Sequence, residues 1–338
     1  MKTIILGLPQ TFSLYNSIKK NLEFLGFEVI DISYPNHNFT YKNKIDRIVN
    51  TFRKVFLRDK HYKNKLIFAP HKKNVEQTLK DIEIKADFAL LIRADIYPLE
   101  ILNLIKKKSE VMISYHWDGL DRFPQIYDYI HLFDRFFVFD KNDINKSNHK
   151  LLSCTNFSFD YIHPNQNPPI DYDIFYIGSI GGERLNIIKN FIEKTKALDQ
   201  KSKFLIHYTN KEDVQQLKPD CVKFIDKHIT YEENISNVKN SNILFDLVND
   251  SHNGLSFRIF EALFFSKKII TNNREVKNYD LYHPNNIFIW NGNNVKEYEV
   301  FLNKPYQHLP EEIVRKYTFS NWINYVLDIK PHTPTPLP

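Results

Sequence analysis

Short apolar runs alternate with amphipathic segments along most of the chain. Lys2 to Leu6 reads as a strand, Leu14 to Leu25 as a helix stopped by Gly26, and Phe27 to Ile32 as a second strand. The alternation continues through strands at Phe88 to Arg93, Val111 to Tyr115 and Arg135 to Phe139, with helices at Leu99 to Lys107 and Pro124 to Leu132. It restarts with strands at Asp173 to Gly178, Lys203 to Tyr208, Val222 to Ile225, Ile243 to Val248, Lys268 to Thr271 and Ile287 to Trp290. A helix at Leu185 to Ala197 lies among these, and another at Glu311 to Leu327 comes after them. Strand and helix in strict turn predict an α/β protein with parallel sheets.

Between the two runs, His163 to Pro169 is rich in proline and amide side chains, which predicts a linker. The expected organisation is therefore a first domain over 1–162, a linker over 163–170, a second domain over 171–310, a terminal helix over 311–328 and a disordered tail over 329–338. At 338 residues, two domains each have room for a core of their own. Hydrophobic residues at 42% and charged residues at 25% are the balance of a globular chain.

Charge sharpens one region. The net charge is only +6, yet 41–73 holds eleven Lys or Arg against Asp46 and Asp59. Within it Ile45, Ile48, Val49, Phe52, Val55 and Phe56 recur at helical spacing. Such a helix either lies on an anionic membrane surface or turns its stripe to the core and leaves the basic side in water. The cluster lacks aromatic stacking positions and nucleic-acid motifs, so no nucleic-acid partner is expected. Cys154 and Cys221 have no metal-ligand spacing, no metal site is expected, and the redox reading is a reducing cytoplasm. No apolar run is long enough to span a membrane and the start lacks signal-peptide features, so the expectation is a cytoplasmic protein, peripheral at most at the inner face of the plasma membrane.

Chemistry gathers where predicted strands end. His116-Trp117-Asp118-Gly119 follows one strand, and parallel sheets collect ligands at their carboxyl ends. Asp118, and after it His116, are candidates for a general base, although Asp118 also suits a turn with Gly119 and His116 a satisfied polar position. Asp95 ends another strand and is a lesser catalytic candidate that reads first as a cap before Tyr97-Pro98. Gly178, Gly181 and Gly182 are three of only 8 glycines, and Arg184 follows them at a helix start where it could meet a phosphate or lie on the surface. Ser256 and Arg258 open a helix whose N–H groups suit an anion, and Glu261 shares the face of Arg258. A carboxylate there can accept from a ribose diol.

The stretch His252-Asn253-Gly254-Leu255-Ser256-Phe257-Arg258-Ile259-Phe260-Glu261-Ala262-Leu263 resembles the donor-binding segment of GT-B glycosyltransferases, in particular branches with an R-x-F-E-A-L turn. Tyr176-Ile177-Gly178-Ser179, with Arg184 beyond, resembles the first loop of the same domain. The resemblance covers the second half well and the first half as architecture. It implies two Rossmann-like domains facing across a cleft, with the terminal helix crossing back to the first. It implies a donor diphosphate and ribose at Gly178, Arg184, Ser256, Arg258 and Glu261, and the donor's base at Ile229 and Thr230, a threonine that is also a natural helix cap.

The implied activity is transfer from a nucleotide sugar, UDP-linked, to a surface polysaccharide, capsule or lipopolysaccharide acceptor, glycan or lipid-linked. The nucleotide sugar is a substrate and no cofactor is expected. Retaining members of neighbouring families carry a second glutamate eight residues before the first, where this chain has Asn253, which favours inversion by Asp118 or His116 without a metal. Two alternatives share the architecture: a nucleotide-sugar 2-epimerase and a non-catalytic glycan-assembly partner.

Overall fold

The computed structural model describes residues 1–10, 14–35, 39–41, 43–146, 150–162, 168–179, 183–208, 220–227, 229–248 and 254–338. They form two compact units, Met1–Cys154 with Asn324–Pro331, and Thr155–Ile323 with His332–Pro338. The division falls at Cys154 and Thr155. Of the expected linker, 163–167 lies outside the described residues, and 155–162 groups with the second unit.

The first unit runs β1 (Lys2–Gly7), α1 (Leu14–Phe24), β2 (Phe27–Asp31), α2 (Lys44–Phe56), α3 (Tyr62–Lys80), β3 (Ala86–Ile92), α4 (Leu99–Lys108), β4 (Ser109–His116), β5 (Arg135–Val138) and β6 (Leu152–Ser153). The sheet order is β2-β1-β3-β4-β5-β6 with every neighbour parallel. Ile4, Ile5 and Leu6 of β1 are fully buried, as a central strand covered on both faces requires, and this explains its unbroken apolar run. Gly26 has φ +82 and ends α1 in the left-handed region, where a side chain would strain the turn.

The helix expected at Pro124 to Leu132 is two 3-10 segments, Pro124–Asp128 and Ile130–Leu132. Its inward residues Ile126 and Tyr129 stand three apart, the 3-10 period, and Tyr129 N–H donates to the Ile126 carbonyl at 2.9 Å. α2 forms where the basic amphipathic helix was expected, but none of its residues is buried. The core-facing alternative for its stripe does not hold.

The second unit runs β7 (Tyr172–Ser179), α5 (Arg184–Thr195), β8 (Ser202–His207), β9 (Val222–Ile225), α6 (Tyr231–Lys239), β10 (Ser241–Asp246), α7 (Phe257–Phe264), β11 (Lys268–Thr271), β12 (Ile287–Ile289), α8 (Val295–Asn303), α9 (Glu311–Lys316) and the start of α10 (Phe319–Leu327), whose last residues from Asn324 group with the first unit. Its order is β12-β11-β10-β7-β8-β9, again parallel throughout. The chain builds outward from β7 to β9, then returns beside β7 with β10 and builds the other way. That reversal lies between β7 and β10, and the carboxyl ends of strands at such a reversal are where open α/β sheets bind ligands.

The single terminal helix expected over Glu311 to Leu327 is broken at Tyr317 and Thr318. Ser158 N–H donates to the Tyr317 carbonyl at 2.9 Å and Phe319 N–H donates to the Ser158 carbonyl at 2.8 Å, so backbone groups that would continue the helix pair with another segment. The proline-rich end is also held. Thr335 is buried, its carbonyl accepts from Thr155 N–H at 3.0 Å, and Asn321 exchanges two hydrogen bonds with the backbone of Thr333.

Candidate functional site

β10 delivers Asp246 to the carboxyl edge beside the end of β7, and this buried carboxylate orients the side chains around it. Ser256 Oγ donates to Asp246 Oδ1 at 2.7 Å, Arg258 Nη1 approaches the same oxygen at 3.3 Å, and Thr271 Oγ1 donates to Oδ2 at 3.1 Å. Arg258 Nη2 donates to the Ile177 carbonyl of β7. The guanidinium thus bridges the two strands at which the sheet reverses. Ser256 occupies the N-cap position of α7, yet its hydroxyl is committed to Asp246 and makes no capping hydrogen bond to the helix. The first N–H groups of α7 consequently have no side-chain acceptor from Ser256.

Gly178 is needed for packing at this edge. A Cβ there would lie 2.3 Å from the hydroxyl of Tyr176, whose buried ring also carries Arg258 at 5.4 Å from its centroid. Arg184 is the first residue of α5, and Ser179 Oγ at 3.5 Å is its nearest hydrogen-bond partner among the described residues. At that distance the contact is marginal, so the cation retains donors for a ligand.

Glu261 is buried on α7 and reaches α6, where Asn234 Nδ2 lies 3.5 Å from Oε2 and the Tyr231 hydroxyl is a further partner. Burial raises its pKa above the ordinary carboxylate value, while Arg258 and the two hydrogen-bond donors oppose that rise. Thr230 caps α6 in a full capping box, accepting from Glu233 N–H at 3.1 Å while Glu233 accepts from Thr230 N–H at 2.8 Å. Ile229, just before it, is half-buried.

One short segment fixes both helix starts from behind. Phe157 packs edge-on to Phe257, the first residue of α7, at 5.2 Å, and Phe159 packs on Tyr231, the first residue of α6, at 5.1 Å. Phe319 and Trp322 complete the cluster, at 5.0 and 4.5 Å from Phe157. Asn156 Nδ2 donates to the Leu255 carbonyl at 2.9 Å and holds the loop entering α7. Aromatic pairs of this kind contribute about 0.5–1.5 kcal/mol each beyond burial.

The first unit has a charged edge of its own. Arg93 follows β3 with φ 61, a left-handed backbone that a non-glycine residue adopts at a cost, and its guanidinium lies on the face of Phe123 at 3.2 Å. It pairs with buried Asp95 through two bonds of 2.7 and 3.1 Å and reaches Asp118 Oδ2 at 3.5 Å. Arg122 takes Asp118 Oδ1 at 2.8 Å. Both oxygens of Asp118 are thus occupied by cations. Asp95, expected as a cap, lies in a 3-10 turn as the partner of Arg93. His116 is fully buried with neither ring nitrogen hydrogen-bonded among the described residues, and burial, with Arg93 nearby, holds it neutral well below the usual imidazole range.

No family model and no curated protein matches this sequence. Solved structures do match over nearly the whole chain. The lipopolysaccharide outer core galactosyltransferase WaaB in its apo form aligns at TM-score 0.52 and 14% identity, over 96% of this chain and 98% of that one. TarM aligns at TM-score 0.55 and 10% identity, over 96% and 98%. The UDP-GlcNAc 2-epimerase from Methanocaldococcus jannaschii aligns at 0.51 and 13%, over 90% and 94%. The chain has the GT-B fold. At these identities the likeness is one of fold.

Within the GT-B fold, Ser256 and Arg258 meet on Asp246 at the β7 and β10 edge, Gly178 lies at the end of β7 and Arg184 starts the helix after it, while Glu261 of α7 reaches Asn234 on α6, the helix that Thr230 caps. Gly181, Gly182, His252 and Asn253 lie outside the described residues. Sequence reasoning missed Asp246, Tyr176 and the Phe157 to Phe159 pair. Asp246 had a visible signal, an acid closing the buried run Ile243 to Phe245; the aromatics had none, because their partners are remote in the chain.

Proposed function

We propose that this chain is a glycosyltransferase that takes a sugar from a UDP-linked donor and adds it, with inversion, to a surface polysaccharide or lipopolysaccharide acceptor. The observation that carries the reading is Arg258 fixed between Asp246 and the Ile177 carbonyl at the strand reversal, in the first turn of α7, with Arg184 at the start of α5 beyond the end of β7. A leaving diphosphate would meet both guanidinium groups and helix N–H donors there, with Glu261 accepting from the ribose and Ile229 and Thr230 against the base. These fixed charges neutralise the diphosphate in this reading without a metal ion.

The acceptor oxygen attacks the anomeric carbon as the bond to the diphosphate breaks, and the electron pair leaves on UDP. The proton passes to Asp118, which must first release Arg93 or Arg122. His116 is the second candidate, and its burial requires the segment around Phe123 to open before it acts. The galactosyltransferase among the fold neighbours supports the acceptor class.

A thermal-shift panel of UDP, GDP, CMP and ADP with their sugars tests the donor, since a ligand bound by the folded state alone raises its melting temperature. The reading expects the largest shift with uridine nucleotides. Indifference to all of them would refute it. Isomerisation of UDP-N-acetylglucosamine without acceptor would instead identify an epimerase.

A further inference from the structure

α2 sits on the protein the wrong way round for a surface helix. An amphipathic helix normally buries its apolar stripe and shows its polar side. Here the polar side faces inward: Asn50 Nδ2 donates to the Tyr41 hydroxyl at 2.9 Å, the Tyr62 hydroxyl donates to Asp46 at 3.4 Å, and Arg53 lies 5.0 Å over the Tyr62 ring while pairing with Asp59 at 2.9 Å. The apolar stripe faces out. Ile45, Ile48, Phe52, Val55, Phe56 and the capping Leu57 are 53–71% exposed, and they are half of the large hydrophobic side chains exposed among the described residues. The rings of Phe52 and Phe56 touch each other at 4.9 Å rather than the core.

Lys44, Arg47, Lys54 and Arg58 are exposed on the same helix and its end. We infer that α2 docks on a bilayer containing anionic phospholipids, its stripe entering the headgroup boundary and its cations meeting lipid phosphates. Charge selects this occupant over a second copy of the chain, because two copies meeting here would oppose the exposed Lys44, Arg47, Lys54 and Arg58 of each. An apolar stripe flanked by cations is the arrangement that inserts at a lipid interface. The inference rests on how α2 is seated and is independent of the transfer reaction.

Sedimentation of the full chain with phosphatidylcholine vesicles, with and without phosphatidylglycerol, tests it. The wild type binds the anionic vesicles and is released by salt. Phe52→Ser with Phe56→Ser, and separately Arg47→Gln with Lys54→Gln, each weaken that binding by about tenfold or more. A Phe52→Trp chain supplies a second readout, an emission shift to the blue on anionic vesicles alone. Absence of vesicle binding by the wild type would overturn the inference. So would an apolar double variant that dissolves a dimer while vesicle binding stays unchanged, since a second copy would then be what covers the stripe.

Discussion

The carboxyl edges of the two sheets make an instructive pair. Both gather arginines and aspartates on segments that come after strands, but they use them differently. On the first edge Arg93 and Arg122 are spent on Asp95 and Asp118, and His116 is sealed beneath them as a neutral base. On the second, one buried acid, Asp246, orients Ser256 and Arg258, while Arg184 keeps donors to spare. Similar residue types therefore yield a closed ion-pair cluster in one unit and a cation-lined helix entrance in the other. What separates them is position: both sheets reverse, the first between β1 and β3 and the second between β7 and β10, and Asp246 stands at the second reversal while Asp118 follows β4, one strand beyond the first.

The largest expected effect tests how the second edge is held. Phe157→Ala removes the ring that anchors α7 and should cost about 3–5 kcal/mol in urea unfolding of the full chain. UDP affinity should fall with it; a stable variant that binds normally would show that the helix start needs no such anchor. Next, Gly178→Ala drives a methyl group against the Tyr176 hydroxyl, and the buried ring has little room to yield. A loss of about 1–3 kcal/mol is expected, and an unshifted unfolding midpoint would mean that the close approach is unimportant.

The smallest effect concerns the first edge. Because His116 is held below its ordinary value of 6.5, the unfolded chain takes up a proton that the folded chain refuses, so stability falls as pH drops through and below 6.5. His116→Leu should change stability at neutral pH by no more than about 1.5 kcal/mol, since no hydrogen bond is lost, and should flatten that acid slope. Identical slopes in the two proteins would assign the acid sensitivity elsewhere.

Much of this architecture was legible in the chain. Val222–Ile225 and Lys268–Thr271 are strands where their apolar runs lie, and Thr230 is the helix cap its residue type suggests. The helix at Arg258 to Ala262 could be placed, and so could its position after a buried strand. The orientation of α2 could not. Periodicity shows that a helix has two faces and is silent on which one the protein covers, a choice made here by Asp46, Asn50 and Arg53 finding partners on Tyr62, Tyr41 and Asp59. The break at Tyr317 was hidden for a similar reason, since it depends on Ser158, a residue far away in the chain. Tertiary partners decide such cases over local preference.

The central claim is that Arg258 grips a diphosphate at the strand reversal. Calorimetric titration of UDP and of uridine into the wild type, Arg258→Ala and Arg184→Ala addresses it directly. UDP should bind at least about tenfold more weakly to each variant, a charge-assisted hydrogen bond having been lost, while uridine binds all three proteins alike. Equal UDP affinity in the wild type and Arg258→Ala would contradict the account.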